Sequence, residues 1–281
     1  MQTRLVSAII LFVAAATAIY LGGLWLYALY GTGMVIAAYE YFNMTRLGGH
    51  HPLWQPALVL IALLLLNATL RPQLPHDFTA LLLVIAVALP PLWELTPRRR
   101  HASTAVAAAS PSADHHGFLL NWALTVVGIV YIGLLGSYTF ALRNLENGAA
   151  LLFIPLVGTW MTDIFAYLAG RVWGKHPFFP DISPKKTREG AIGGIVMGTL
   201  FVVVLGWIYG IPLWACFVLG IFVALLTTAG DLTESLIKRN LGVKDSGTLI
   251  AGHGGAFDRL DSMFIPMTFA FFFFTLVLGY K

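Results

Sequence analysis

Residues Gly230–Asp261 of the chain read GDLTESLIKRNLGVKDSGTLIAGHGGAFDRLD. This stretch holds five of the 13 acidic residues and four of the 17 basic residues, together with His253. Apolar segments flank it on both sides, and so many charges are too costly to place inside a bilayer. We therefore expect the stretch to lie at a membrane surface between two spanning elements, and we expect the chemistry there.

The rest of the chain is apolar for its length of 281 residues: 58% of the residues are hydrophobic and only 11% are charged. Soluble domains carry about 25% charged residues. Only α-helices and closed β-barrels satisfy their backbone polar groups in lipid, and the near-continuous apolar runs favour helices over a barrel. We predict an all-α, polytopic integral membrane protein. The single cysteine, Cys216, excludes an intramolecular disulfide and a multi-cysteine metal site.

Nine stretches are long enough to span a membrane, for which about 20 mostly apolar residues are needed. They are Arg4–Leu21, Leu24–Asn43, Leu53–Leu70, Phe78–Leu95, Phe118–Leu142, Ala149–Gly170, Ala191–Tyr209, Ile211–Gly230 and Ser262–Tyr280. With nine spans, every Lys and Arg except Arg71, Arg143 and Lys281 falls on the side of the N-terminus. Because basic residues are concentrated in cytoplasmic loops, we predict that the N-terminus and the active-site loops are cytoplasmic.

We interpret residues 1–281 as a single membrane domain. Residues 1–145 form its N-terminal spans, and residues 146–281 are expected to be its catalytic part. Residues 96–117 are rich in Ala, Ser and Pro, which predicts a flexible cytoplasmic loop. The pair His115-His116 in that loop has no accompanying cysteine or acid cluster, so we expect it to be solvated rather than metal-bound.

The charged side chains between the last two predicted spans are placed to converge. If the eighth span continues as a helix, Asp231, Ser235 and Lys238 share one face. Asp258 and Asp261 share a face at the start of the ninth span because they are three residues apart. Three carboxylates without cysteine neighbours suit a hard cation such as Mg²⁺ rather than zinc. The alternative interpretation is an interfacial salt-bridge network.

Two further groups fall on the same predicted side of the membrane. Asp163 is an acid within a span, which makes it a functional candidate; a structural hydrogen bond between helices is the alternative. Ser183-Pro184 resembles a helix start, with serine as the cap and proline as the first helical residue. Such a start would direct free N–H groups, together with Lys185 and Lys186, at an anion. The alternative is a set of topology-setting charges beside anionic lipid.

Several nucleotide and lipid-enzyme motifs are missing from the sequence. It contains neither GxxxxGK[ST] nor GxGxxG, which argues against a Walker-type or a dinucleotide site. The DDxxD pair of prenyl transferases is absent, as is the DG…AR…G…D…D pattern of the CDP-alcohol phosphatidyltransferases.

The motifs that are present resemble those of the phosphatidate cytidylyltransferases, or CDP-diacylglycerol synthases. The C-terminal signature reads Ser235-Leu-Ile-Lys238-Arg239, Lys244-Asp245-Ser-Gly247, Gly252-His253-Gly254-Gly255 and Asp258-Arg259-Leu-Asp261. Upstream, the chain reads Asp163-Ile-Phe-Ala-Tyr167-Leu-Ala-Gly170-Arg171 and Ser183-Pro-Lys-Lys-Thr187-Arg-Glu189-Gly190. The resemblance is tightest from Thr162 to Asp261. Ala251 and Ala256 differ from the residues usual in that family.

The resemblance implies a nucleotidyltransferase of phospholipid biosynthesis that converts CTP and phosphatidate into CDP-diacylglycerol and diphosphate. It implies Mg²⁺ held by Asp231, Asp258 and Asp261. The implied catalytic residues are Lys238, Arg239, Lys244, Asp245, His253 and Arg259. The residues expected to bind substrate phosphate are Lys185, Lys186, Arg188 and Ser235. Asp163 and Arg171 are expected to support the site, with Asp163 orienting a base or assisting a second cation.

The expected partners are CTP, phosphatidate and membrane lipid, with a homodimer implied by the resemblance and no nucleic acid. The expected location is the plasma (inner) membrane. One alternative is a CTP-dependent polyprenol kinase, which would transfer the γ-phosphate instead of the cytidylyl group. The other is a non-catalytic channel or lipid transporter, but its acids should lie near the middle of the membrane, whereas here they gather at one face.

Overall fold

The computed structural model describes residues 13–96, 113–247 and 254–281. Over those residues the chain forms nine helices and one two-stranded hairpin. The helices are α1 (13–21), α2 (Gly23–Leu26, Tyr27–Gly31 and Thr32–Leu47 in succession), α3 (Trp54–Leu70, then a 3₁₀ turn at Arg71–Gln73), α4 (Thr79–Glu94), α5 (Ala113–Gly128, Ile129–Leu134 and Leu135–Arg143 in succession), α6 (Gly148–Trp173), α7 (Arg188–Ile208), α8 (Leu213–Asn240) and α9 (Phe257–Phe272, continued by Phe273–Val277). The strands are β1 (Pro177–Phe179) and β2 (Ser183–Thr187).

Six helical segments in the described part of the chain are long and apolar enough to cross a membrane. They are Trp54–Gln73, Gly117–Arg143, Gly148–Trp173, Arg188–Ile208, Leu213–Asn240 and Phe257–Val277. Helix α4 is a shorter apolar helix. The prediction of a helical integral membrane protein is confirmed, and the nine-span topology stays a prediction.

Helix α7 shows how a membrane helix divides its two faces between lipid and protein. Its outward face carries a stripe of exposed apolar side chains at four-residue spacing: Ile192, Val196, Leu200 and Val204. Exposed apolar surface of this extent is typical of contact with lipid. The inward face is lined by glycines: a Cβ on Gly194 would lie 2.7 Å from the carbonyl oxygen of Thr162, and one on Gly198 would lie 3.1 Å from that of Gly158. Helices α6 and α7 therefore approach as closely as small-residue packing in membranes allows.

The predicted helix start at Ser183-Pro184 is wrong. These residues lie in β2, which pairs antiparallel with β1 through Pro177 opposite Thr187 and Phe179 opposite Ser183. The helix begins at Arg188, and Thr187 is its cap: the Thr187 hydroxyl accepts a hydrogen bond of 3.2 Å from the Gly190 N–H. Proline tolerates the edge of a short hairpin as well as the first turn of a helix, so the local sequence did not separate the two.

The predicted flexible loop 96–117 is also shorter than expected at its C-terminal end, because α5 begins at Ala113. Extending an existing helix by one turn costs far less than starting one, and the apolar run from Phe118 provides the helix to extend. Residues 97–112 of that loop, and His253, lie outside the described residues.

Helix α9 lies at the centre of the described bundle and packs on α8, α5, α2 and α6. Its inward side chains are fully buried, among them Phe257, Phe264, Met267 and Phe274. The N-terminal end of α9 thus meets helices from both halves of the chain. This position places its first acids, Asp258 and Asp261, among residues distant in sequence.

Candidate active site

Three carboxylates converge where the C-terminal part of α8 meets the first turns of α9. One oxygen from each of Asp231, Glu234 and Asp261 lies within 4.8 Å of the other two. Glu234 is 2% exposed and Asp261 is 4% exposed, whereas the Asp231 side chain is 34% exposed. We call these three residues the carboxylate cluster. The carboxylate cluster is buried on the side of Glu234 and Asp261 and is partly exposed on the side of Asp231, which we call its open side.

The close approach of α8 and α9 that forms the cluster depends on Gly230. A Cβ at Gly230 would lie 2.8 Å from the carbonyl oxygen of Asp261 and 3.3 Å from the Cα of Ser262. No side chain fits between the two backbones at this level. The glycine directly before Asp231 therefore lets the acids on the two helices face each other at short range.

The chemistry of the carboxylate cluster fits a hard divalent cation. The Glu234 Oε1 atom is buried and has no hydrogen-bond partner among the described residues, and a buried polar atom without a partner is unfavourable. Three converging carboxylates also repel one another unless a cation neutralises them. Oxygen ligands without sulfur or imidazole nitrogen are those that Mg²⁺ prefers.

Asp258 lies beside this cluster but faces a different partner. Its Oδ1 atom pairs with the Lys238 ammonium at 2.7 Å, and the same ammonium lies 2.9 Å from Glu234 Oε2. Its Oδ2 atom accepts hydrogen bonds from the N–H groups of Gly255 at 2.9 Å and Ser246 at 3.3 Å. The sequence grouped Asp258 with Asp231 and Asp261, whereas the structure brings Glu234 to those two and uses Asp258 to hold the loop before α9.

The β1–β2 hairpin is attached to α8 over the open side of the cluster. Lys186 of β2 forms an ion pair with Asp231, and the Arg239 side chain donates a hydrogen bond of 3.3 Å to the Ile182 carbonyl. Lys185 and Arg188 are exposed on the same segment. The hairpin therefore brings Lys186 to the open side of the cluster, and phosphate binding by this segment stays a prediction.

Asp163 reaches the same region from α6. The Ser262 hydroxyl donates a hydrogen bond of 3.2 Å to Asp163 Oδ2, so Asp163 is tied to the residue that follows Asp261. Arg171, two turns further along α6, donates to the Tyr167 hydroxyl at 3.3 Å. Asp163 is thus brought to the site, whereas Arg171 contacts its own helix.

The structure gives the exposure of four further predicted site residues. Ser235 is half-buried on α8, and Lys244, Asp245 and Arg259 are exposed. Two buried acids were not among the site residues predicted from the sequence: Glu234, and Glu40 on α2, which is 6% exposed. Glu40 could have been identified from the sequence, because an acid within an apolar span is a functional candidate by default.

Comparisons with known proteins identify the family of this chain. The profile of the cytidylyltransferase family matches residues 2–277. A phosphatidate cytidylyltransferase of Synechocystis is 33% identical over 98% of this chain and 97% of its own length. Those of Bacillus subtilis and Mycobacterium bovis are each 37% identical, over 58% and 57% of this chain and 60% and 53% of their own lengths. The chain belongs to the cytidylyltransferase family.

Proposed function

We propose that this protein is a phosphatidate cytidylyltransferase, which makes CDP-diacylglycerol and diphosphate from CTP and phosphatidate. The observation that carries the proposal is the similarity to the Synechocystis enzyme along almost the whole of both chains. The carboxylate cluster and the surrounding bases supply what this reaction needs. We also propose that the protein forms a homodimer, as the family resemblance implies.

The reaction requires charge neutralisation more than base catalysis. A phosphate oxygen of phosphatidate forms a bond to the α-phosphorus of CTP, and the bond from that phosphorus to the bridging oxygen of the β-phosphate breaks. The electron pair of the broken bond leaves with diphosphate. The attacking phosphate oxygen is already ionised and needs no general base, but it must approach a highly charged triphosphate. The site must therefore offset negative charge and fix the two substrates in line.

Asp231, Glu234 and Asp261 would hold Mg²⁺ in this proposal. The bound cation supplies neutralisation of the nucleotide phosphates and of the departing diphosphate. The buried Glu234 Oε1 atom without a partner among the described residues supports this assignment. Asp258 remains a predicted ligand from the sequence, but its two oxygens are engaged by Lys238 and backbone N–H groups. Asp163 and a second cation likewise remain predictions.

The basic side chains divide into two roles. Lys238 is 13% exposed and lies between two acids, so its role is to orient Glu234 and Asp258. The exposed bases on the hairpin, on α7, α8 and α9 and on the segment after α8 can act as charge-assisted donors to phosphate oxygens. They are Lys185, Arg188, Arg239, Lys244 and Arg259. Lys186 belongs to the same basic hairpin as Lys185, but it forms an ion pair with Asp231 of the carboxylate cluster.

We propose that the site lies at the membrane–water interface, where a soluble nucleotide and a lipid can meet. Helix α8 has 28 residues, so it is about 42 Å long, whereas the hydrocarbon core is about 30 Å thick. Glu234 lies six residues before the C-terminal end of α8, which is about 9 Å along the axis. We propose that this end faces the cytoplasm at the plasma membrane, as the distribution of basic residues predicts.

Labelled CTP distinguishes this proposal from its nearest alternative. We expect α-³²P from CTP to enter a chloroform-soluble product when the purified protein is given phosphatidate and Mg²⁺, and γ-³²P to appear only in diphosphate. A polyprenol kinase would instead transfer γ-³²P to a polyprenol lipid. Appearance of γ-label in the lipid fraction would contradict the proposal, and absence of any lipid product would favour the non-catalytic alternative.

A further inference from the structure

Glu40 lies on α2, far in sequence from the motifs between α8 and α9. It nevertheless contacts two residues of that region, Ser246 and Phe257. The Glu40 Oε2 atom accepts a hydrogen bond of 3.1 Å from the Ser246 hydroxyl and one of 2.9 Å from the Phe257 N–H. Ser246 opens the segment 246–257, and Phe257 is the first residue of α9. A single carboxylate oxygen on α2 therefore joins the two ends of that segment.

The backbone on both sides of Glu40 is shaped to admit its carboxylate. A Cβ on Gly247 would lie 2.5 Å from Glu40 Oε1, and a Cβ on Gly255 would meet both Glu40 Oε2 and the Ser246 hydroxyl at overlapping distance. Neither glycine has a φ value that requires glycine, so the space for Glu40 is the physical reason for the missing side chains. Any larger residue at either position must displace the carboxylate.

Asp258 holds the same two loop ends from the opposite side. Ser246 donates its backbone N–H to Asp258 and its hydroxyl to Glu40. Gly255 donates to Asp258, and Phe257 donates to Glu40. The loop ends are thus fixed by two carboxylates, one from the site and one from a helix of the N-terminal half. Ser246 is therefore held by both carboxylates, and the residues Gly255 and Phe257 are held by one carboxylate each.

The position of Asp261 depends on this arrangement. Asp261 follows Phe257 by four residues, about one helical turn and 6 Å along α9. The Glu40 contact at Phe257 therefore helps to fix the first turn of α9, and with it the acids that meet α8. Displacements of about 1 Å at such a site lower rates by up to about a hundredfold.

We infer that Glu40 is a positioning residue for cytidylyl transfer, which acts by holding Ser246 and Phe257 so that Asp258 and Asp261 are correctly placed. The inference rests on the proposed function for its activity readout, but the contact itself can be tested without activity. Glu40 acts as a hydrogen-bond acceptor in this arrangement, so an amide oxygen in the same place can substitute for it.

The test compares Glu40→Ala and Glu40→Gln with Glu146→Gln, which alters an exposed acid outside the site. We expect Glu40→Ala to lower kcat at least about tenfold with less than about threefold change in the KM for CTP, because Glu40 is buried and its oxygen is engaged by Ser246 and Phe257. Glu40→Gln should stay within about threefold of the wild type because it retains the acceptor oxygen. Glu146→Gln should match the wild type.

Hydrogen–deuterium exchange of the peptide covering residues 246–257 provides the readout independent of activity. Glu40→Ala should accelerate its exchange, whereas Glu40→Gln and Glu146→Gln should not. Wild-type exchange in Glu40→Ala, or a Gln variant as impaired as the Ala variant, would overturn the inference. If no cytidylyl transfer is found but Glu40→Ala still accelerates exchange, the proposed function fails and the positioning role of Glu40 stands.

Should Glu40→Ala fail to fold, Ser246→Ala decides the matter, because it removes one of the two contacts and only one oxygen atom. We expect it to lower kcat about threefold or more and to accelerate exchange at the start of the segment. Activity and exchange both equal to those of the wild type would overturn the inference.

Discussion

Glu234→Gln and Asp261→Asn are each expected to lower kcat at least about a hundredfold, the scale of removing one preorganised electrostatic group from an active site. Each change replaces one carboxylate oxygen of the cluster by an amide nitrogen of the same size, so the packing of these buried side chains is retained. An amide is a weaker ligand for a hard cation than a carboxylate. The Mg²⁺ concentration for half-maximal activity should therefore rise in both variants.

The control for these two variants is Glu146→Gln, which makes the same chemical change at an exposed position. Steady-state kinetics at several Mg²⁺ concentrations provide the measurement, and circular dichroism checks that each variant is folded. Wild-type kcat in folded Glu234→Gln would remove Glu234 from the site. Wild-type kcat in both variants would exclude the carboxylate cluster as the place of catalysis.

Lys238→Met is expected to be the most destabilising of the proposed changes. Lys238 is the shared partner of Glu234 and Asp258, and all three side chains are at most 13% exposed. Methionine preserves the length and the apolar contacts but leaves two buried carboxylates without their cation. Breaking a buried ion pair by removing one partner costs about 3–5 kcal/mol, and activity should fall with it because Glu234 loses its orientation.

The neighbouring residue offers a matched control for stability. Arg239 is exposed and its side chain donates to the Ile182 carbonyl, so Arg239→Met should change the free energy of unfolding by less than about 1 kcal/mol. Thermal unfolding in one detergent at one protein concentration compares the two. If Lys238→Met unfolds at the wild-type temperature, the buried Glu234–Lys238–Asp258 arrangement does not stabilise the fold.

The general outline of the fold and of the site was predictable from local patterns. Apolar runs of about 20 residues require helices in a membrane, and the described helices follow those runs. Asp231 and Asp261 stood out because they are charged residues directly beside apolar segments. The three-residue spacing of Asp258 and Asp261 correctly placed both near α8.

The partners of each acid were not predictable, because they depend on how helices pack. Asp231, Glu234 and Lys238 all lie on one side of α8, and nothing in their spacing tells which of them faces Asp261. The approach of α8 and α9 at Gly230 decides this, and it brings Glu234 to Asp261 while Lys238 meets Asp258. The contact from Glu40 to Phe257 joins residues 217 positions apart, and no local pattern predicts such a pair.

The β1–β2 hairpin shows a different reason for failure. Ser183-Pro184 satisfies the rule for a helix start, yet Ser183 pairs with Phe179 and both residues lie in β2 instead. The true cap, Thr187, lies four residues later and was visible only as one more polar residue. The phosphate-binding role of Lys186 stays a prediction, although the hairpin does bring this residue to Asp231.

The most direct test of cation-dependent cytidylyl transfer at the carboxylate cluster is one assay of the purified protein in detergent micelles containing phosphatidate and α-³²P-labelled CTP. Label entering CDP-diacylglycerol is measured with Mg²⁺ present, after chelation, and after Mg²⁺ is restored. We expect labelled lipid to form with Mg²⁺, to stop forming with chelator, to form again after restoration, and to be at least about a hundredfold lower in Asp261→Asn. Equal rates of label transfer with Mg²⁺ and with chelator, or an unimpaired Asp261→Asn variant, would contradict this account.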